Sequence, residues 1–164
     1  GPAALEKQIA LLDHDEDVVR YWAAVGIYAA REHLAPHADA VRDHLSDPAA
    51  FVQVELAAAL YSAARDPEAK RILETHIEGE HNLIAHQAVE KVLYMPEVAA
   101  DFADKIRAVQ DRRPAADVNA SDAFPLQESL AMYMYLYQDA PLFYECDRPY
   151  LTEETLRGEE TSAG

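Results

Sequence analysis

Asp13, Asp15 and Asp17 alternate along the chain with the spacing of the first ligands of a calcium loop. The rest of that loop is missing. Val18 occupies the position of its glycine turn, and Ala24 stands where a bidentate glutamate belongs. Carboxylates at this point instead suit the start of a helix, where they cap backbone N–H groups and favour the dipole. Seven histidines raise the question of a metal. His33 and His37 are four apart, but Pro36 between them prevents a shared helical face. His76, His81 and His86 straddle a turn beside Glu78 and Glu80. Surface histidines, or histidines between packed helices, explain that group without the exacting geometry of a metal site. Cys146 is the only cysteine, which excludes an intramolecular disulfide and a zinc site built on several thiolates. No histidine lies near it in sequence to activate it as a nucleophile. We assign no catalytic residue, no metal ligands and no cofactor on this basis.

The elements that would position any site show a fixed period. Tyr28, Tyr61 and Tyr94 stand 33 residues apart, each after a large aliphatic residue, Ile27, Leu60 or Leu93. The same frame aligns Val19 with Val52 and Ala85, and Ala23 with Leu56 and Val89. A period of this size marks one supersecondary unit stacked on copies of itself. Within each unit the apolar spacing is helical.

In the first repeat, a helix over 3–12 with Leu5, Ile9 and Leu12 on one face precedes a second over 18–31. Gly26 inside the second is explained by a close approach of another helix. The next repeat runs from Pro36 through Val41 and Leu45, turns at Ser46-Asp47-Pro48, and resumes with Phe51, Val52, Leu56 and Leu60. Asp47-Pro48 is a standard helix opening. A third begins at Asp66-Pro67, turns at Glu78-Gly79-Glu80 and stops at Met95-Pro96. Val98, Phe102, Ile106 and Val109 start a fourth, followed by a loop over 112–124 containing Pro114 and residues 119–122. Pro125 then opens a helix with Leu126, Leu130, Met134 and Tyr137 on one face. The alternation Met132–Tyr137 also fits a strand, but the repeat frame favours a helix.

The expected fold is therefore all-α, an α-solenoid of about four stacked antiparallel helical hairpins. Gly1-Pro2 reads as a tag scar, which leaves any upstream targeting segment open. Residues 3–138 form the repeat domain, in units of about 3–33, 34–65, 66–96 and 97–138. Residues 139–164, with two basic against seven acidic residues, form an acidic tail. Its Leu142, Phe143, Tyr144 and Tyr150 are expected to seal the last hairpin.

With 14 basic and 30 acidic residues, the chain carries −16. Such a surface repels phosphate backbones and anionic membrane surfaces, so neither nucleic acid nor membrane is an expected partner. The charge serves solubility or, in a sharper reading, attracts a cationic partner.

Asp15-Glu16-Asp17-Val18-Val19-Arg20-Tyr21-Trp22-Ala23-Ala24 resembles the second-helix opening of HEAT repeats, especially the short-period type of phycobilisome-lyase-like proteins. That resemblance implies a HEAT-like or armadillo-type superhelix. Gln53 and His86 replace the pattern's arginine in the second and third repeats, so its Asp–Arg ladder is mostly absent. The string from Leu11-Leu12-Asp13 to Val19-Arg20-Tyr21-Trp22-Ala23 is also similar to HEAT-like segments C-terminal to the catalytic domain of bacterial sulfatases. The signature of those enzymes, Cys or Ser-x-Pro-x-Arg, does not occur here. Cys146-Asp147-Arg148-Pro149 holds its letters in the wrong order, and Ser46-Asp47-Pro48-Ala49-Ala50 lacks the arginine. The resemblance implies an accessory module, periplasmic or extracellular, docked on an upstream catalytic domain of the same chain. Loss of that neighbour would uncover an apolar patch near Leu5 and Ile9. A stand-alone protein-binding module and a metal-binding or lyase-like HEAT protein are the alternatives.

The candidate binding residues are Arg20, Tyr21, Tyr28, Tyr61, Gln87 and Tyr94. In a solenoid the second helices line the concave face, so these tyrosines form either a ladder along a groove or wedges between repeats.

Overall fold

The computed structural model describes residues 2–112 and 123–138. The expected loop through Pro114 and residues 119–122 lies outside them, as do Cys146 and the acidic tail with its capping residues. Among the described residues every regular element is helical and there is no strand. The α-helices are α1 (Pro2–Ala10), α2 (Asp17–Ala29), α3 (Ala38–Arg42), α4 (Ala50–Ala64), α5 (Pro67–Glu78), α6 (Asn82–Leu93), α7 (Ala103–Arg112) and α8 (Ala123–Tyr137). Met132–Tyr137, with its strand-like alternation, lies inside α8.

The second helix of each unit lies close to the expected span, as does α5 in the third unit, whereas the first helices of the other units are shorter. The helix expected over 3–12 ends at Ala10 and tightens into a 3-10 turn at Leu11–Asp13. The one expected from Pro36 to Leu45 divides into a 3-10 turn at Ala35–His37 and the five-residue α3. Pro36 brings no N–H to a helix, and the His37 N–H bonds Leu34 O at 2.8 Å in a tight turn. Similarly, Ala99–Phe102 is a 3-10 turn before α7. The apolar positions nevertheless hold: Val41, Leu45, Val98, Phe102, Ile106 and Val109 are all buried.

Helix starts follow local chemistry. Asp66 caps α5, accepting the Ala69 N–H at 2.9 Å, with Pro67 in the first turn. Asp47-Pro48 does not open α4, which begins two residues later at Ala50. The Asp47 carboxylate is engaged by the Ala49 N–H at 2.8 Å and by Arg20. Nor do the carboxylates of 13–17 cap α2, whose N-cap Glu16 makes no side-chain cap bond. The Glu16 N–H instead donates to His14 Nδ1 at 3.0 Å, while Asp17 sits in the first turn and favours the dipole.

α2 packs on α4, α4 on α6, and α6 on α8; α1, α3, α5 and α7 lie against α2, α4, α6 and α8 in turn. α5 also packs on α4 and α7. With neighbours on every side, α4 is buried all round, from Val54 to Tyr61 without interruption. Full burial of Leu56 and Leu60 stabilises by about 1.5–3 kcal/mol each. Gly26 does face another helix, since a Cβ there would come within 2.1 Å of Gln8 Nε2 on α1. Arg65 ends α4 in the left-handed region, at φ 54°. Its guanidinium donates to Tyr61 O and Ser62 O at 3.2 Å and to Glu97 O at 3.1 Å, which ties α4 to the turn after α6.

Candidate binding face

The six candidate binding residues, expected as a ladder along a groove or as wedges between repeats, fall into four separate environments. Arg20 lies against the next unit, its Nε donating to Asp47 Oδ2 at 2.7 Å and its Nη2 to Oδ1 at 3.2 Å. Its Nη1 reaches back six residues to His14 O at 2.9 Å, and Gln53, 33 positions on, reaches back to Asp47 O at 2.7 Å. Gln53 keeps the arginine's backward bond, while its Oε1 meets His76 Nε2 at 2.9 Å. An Arg20–Asp47 pair thus joins α2 to the turn before α4.

Tyr21, Tyr28 and Gln87 gather around Glu55. That carboxylate is 1% exposed and is met by Lys91 Nζ at 2.8 Å and Gln87 Nε2 at 3.0 Å, both on Oε1. Gln87 also bonds Phe51 O at 3.0 Å. Two cations stand over the Tyr28 ring, Lys91 Nζ at 4.4 Å and the Arg31 guanidinium at 4.5 Å, and its hydroxyl donates to Lys91 O at 3.4 Å. Burial pushes the Tyr28 hydroxyl up to about 12, and raises that of Tyr21 as well, with Glu55 and Glu90 adding to the effect. Tyr61 sits apart, edge-on to Phe102, its hydroxyl donating to Asp101 Oδ2 at 2.7 Å. Tyr28 and Tyr61 are wedges between units rather than rungs along an open groove. Tyr94 is the exception, 65% exposed because α6 ends one residue before it.

The metal-like groupings do not converge: among the described residues no group of three or more His, Cys, Asp and Glu side chains is placed to hold an ion. His76 is half-buried and bonded to Gln53, and burial lowers its pKa toward the neutral imidazole. It lines a crevice of about 390 Å³ with Arg42 and Arg71. Both guanidiniums there are already paired, Arg42 with Asp66 and Asp39 and Arg71 with Glu68. No helix among the described residues is long and apolar enough to cross a membrane.

The expected patch at Leu5 and Ile9 is not open, since Leu5 is buried and Ile9 packs against the core. Open apolar surface lies instead on α2 of the same hairpin, and a second exposed set, Met132, Tyr135 and Leu136, lies on α8. Val18 is 52% and Trp22 65% exposed, four residues apart on α2. Val25, half-buried, and Ala29, exposed, extend the stripe. At 4-3-4 spacing these residues share one face, turned away from the buried Ala24 and Ile27. Leu11, 43% exposed, stands at the N-terminal side of this helix. The counterparts of Trp22 in the 33-residue frame are Glu55 and Ala88, both wholly buried. α4 and α6 each have a second helix packed on either side, whereas α2 has only α4. The spacing 18, 22, 25, 29 is legible in the sequence, but the buried stripe beside it obscures the second one.

What fold and surface define is an all-helical protein whose first long helix is apolar on two faces and covered on one. No protein-family model matches the chain, and neither a curated protein nor a solved structure matches it.

Proposed function

We propose that the protein is a non-catalytic helical-repeat scaffold, a HEAT-like solenoid of four hairpins that docks another structural unit through the outer face of α2. The order of packing supports the solenoid reading, because second helices follow one another in a row with their first helices alongside. One observation carries the docking reading: Trp22, Val18 and Ala29 form an uncovered apolar stripe at positions whose Trp22 counterparts are buried in the next two units. A helix apolar on both faces belongs inside an assembly. The accessory-domain version, with an upstream catalytic domain of a sulfatase-like hydrolase as the docked unit, rests on the sequence resemblance. The stand-alone module is the second reading.

The test is to express the chain with the polypeptide its gene encodes before Ala3. Trp22 is the only tryptophan in the 164 residues and reports its own burial. The accessory version predicts a Cys/Ser-x-Pro-x-Arg signature upstream and a blue shift of Trp22 emission in the longer protein. A start codon directly before Ala3, or unshifted emission in the longer protein, leaves the stand-alone module. Hydrolysis of sulfate esters by the present chain alone would overturn the scaffold reading.

A further inference from the structure

Resting on that docking face, we infer that its partner element is a cationic amphipathic helix. The stripe Val18, Trp22, Val25 and Ala29 repeats at 4-3-4, the seam spacing of one helix laid along another. Its small and branched ends around a single tryptophan match a helix presenting aliphatic side chains at the same spacing. Charge selects among such helices. Glu6, Asp13, Asp15, Glu16 and Asp17 are exposed acids on the α1–α2 hairpin. Against them stand only Lys7 and Arg20, and Arg20 is already paired with Asp47. A second copy of the chain is a poorer occupant, since two chains of −16 each repel. A helix flanked by Lys and Arg removes that repulsion and gains directly from it.

The probe is a helical peptide of about 15–20 residues with Leu and Ala on a 4-3-4 seam and Lys or Arg flanks, titrated into the protein while Trp22 emission is followed. A second peptide keeps the seam and carries Glu flanks. The expected result is a saturable blue shift with the basic peptide only, weakening as salt rises. Val18→Glu should abolish it with an unchanged melting temperature, because Val18 is exposed. Asp15→Lys with Glu16→Lys should weaken it by about tenfold or more at low salt. Equal binding of the acidic peptide, or a Trp22 shift that follows protein concentration without peptide, overturns the cationic partner and leaves the docking face standing. No shift with either peptide also overturns the inference. The docking reading is then decided separately by the longer protein's Trp22 emission.

Discussion

The Arg20 guanidinium and the Asp47 carboxylate form a two-point pair, 2.7 and 3.2 Å, between the second helix of one unit and the loop entering the next. The side chains are 11% and 5% exposed. Asp47 raises the arginine's pKa through this bond against the opposing effect of burial, so the guanidinium stays charged. Because the same carboxylate accepts the Ala49 N–H, the pair fixes the approach to α4 as well as the spacing of the units.

A double-mutant cycle follows from that geometry. Arg20→Ala and Asp47→Ala each lower the melting temperature by roughly 5 °C. The double variant falls by clearly less than their sum, since either change alone strands the other partner. Strict additivity in thermal unfolding would show that the two side chains do not act together.

Tyr28, Tyr61 and Tyr133 should make the fold less stable at alkaline pH. Burial pushes each hydroxyl up to about 12, from an ordinary 10. The folded state therefore holds protons that the unfolded state releases first. Their contribution is fully present below pH 10 and is lost as pH rises toward 12. Tyr133 donates to Ala99 O at 2.6 Å from a wholly buried position, so Tyr133→Phe should cost about 1 kcal/mol at pH 7. That deficit should shrink by pH 11 in denaturant titrations. A deficit constant with pH would contradict the assignment.

Much of this arrangement was legible before the structure. The 33-residue tyrosine frame places α2, α4 and α6, and Asp66-Pro67 marks the start of α5 because the aspartate caps it. Asp47-Pro48 looks the same in sequence, yet its carboxylate takes the Ala49 N–H and α4 starts later, at Ala50. Both aspartates also hold an arginine from far upstream, Arg20 on Asp47 and Arg42 on Asp66. Long-range demand of that kind leaves no local signal. Tyr94 shares the frame with Tyr28 and Tyr61 but emerges on the surface where α6 stops. On α2 the outer stripe was readable by spacing alone, yet its exposure follows from which side α4 occupies, and that is tertiary information.

Gly26 offers a check on the α1–α2 contact. An added methyl would press on the Gln8 amide, whose Oε1 is buried without a hydrogen-bond partner among the described residues. Gly26→Ala alone should be close to neutral, as helix propensity gained offsets displacement of Gln8. In a Gln8→Ala background the same change should stabilise by about 1 kcal/mol. If the Gln8 background makes no difference in chemical denaturation, the contact is not what requires glycine.

The most direct test of the scaffold account is hydrogen exchange of the protein alone and with the docked unit, either the upstream polypeptide or the cationic helix. Protection should increase across residues 11–29, the segment carrying Leu11, Val18, Trp22 and Ala29, with the remaining helices nearly unchanged. Protection that instead appears around Arg42, Arg71 and His76, or around Tyr94 and α8, with residues 11–29 unaltered, would contradict it.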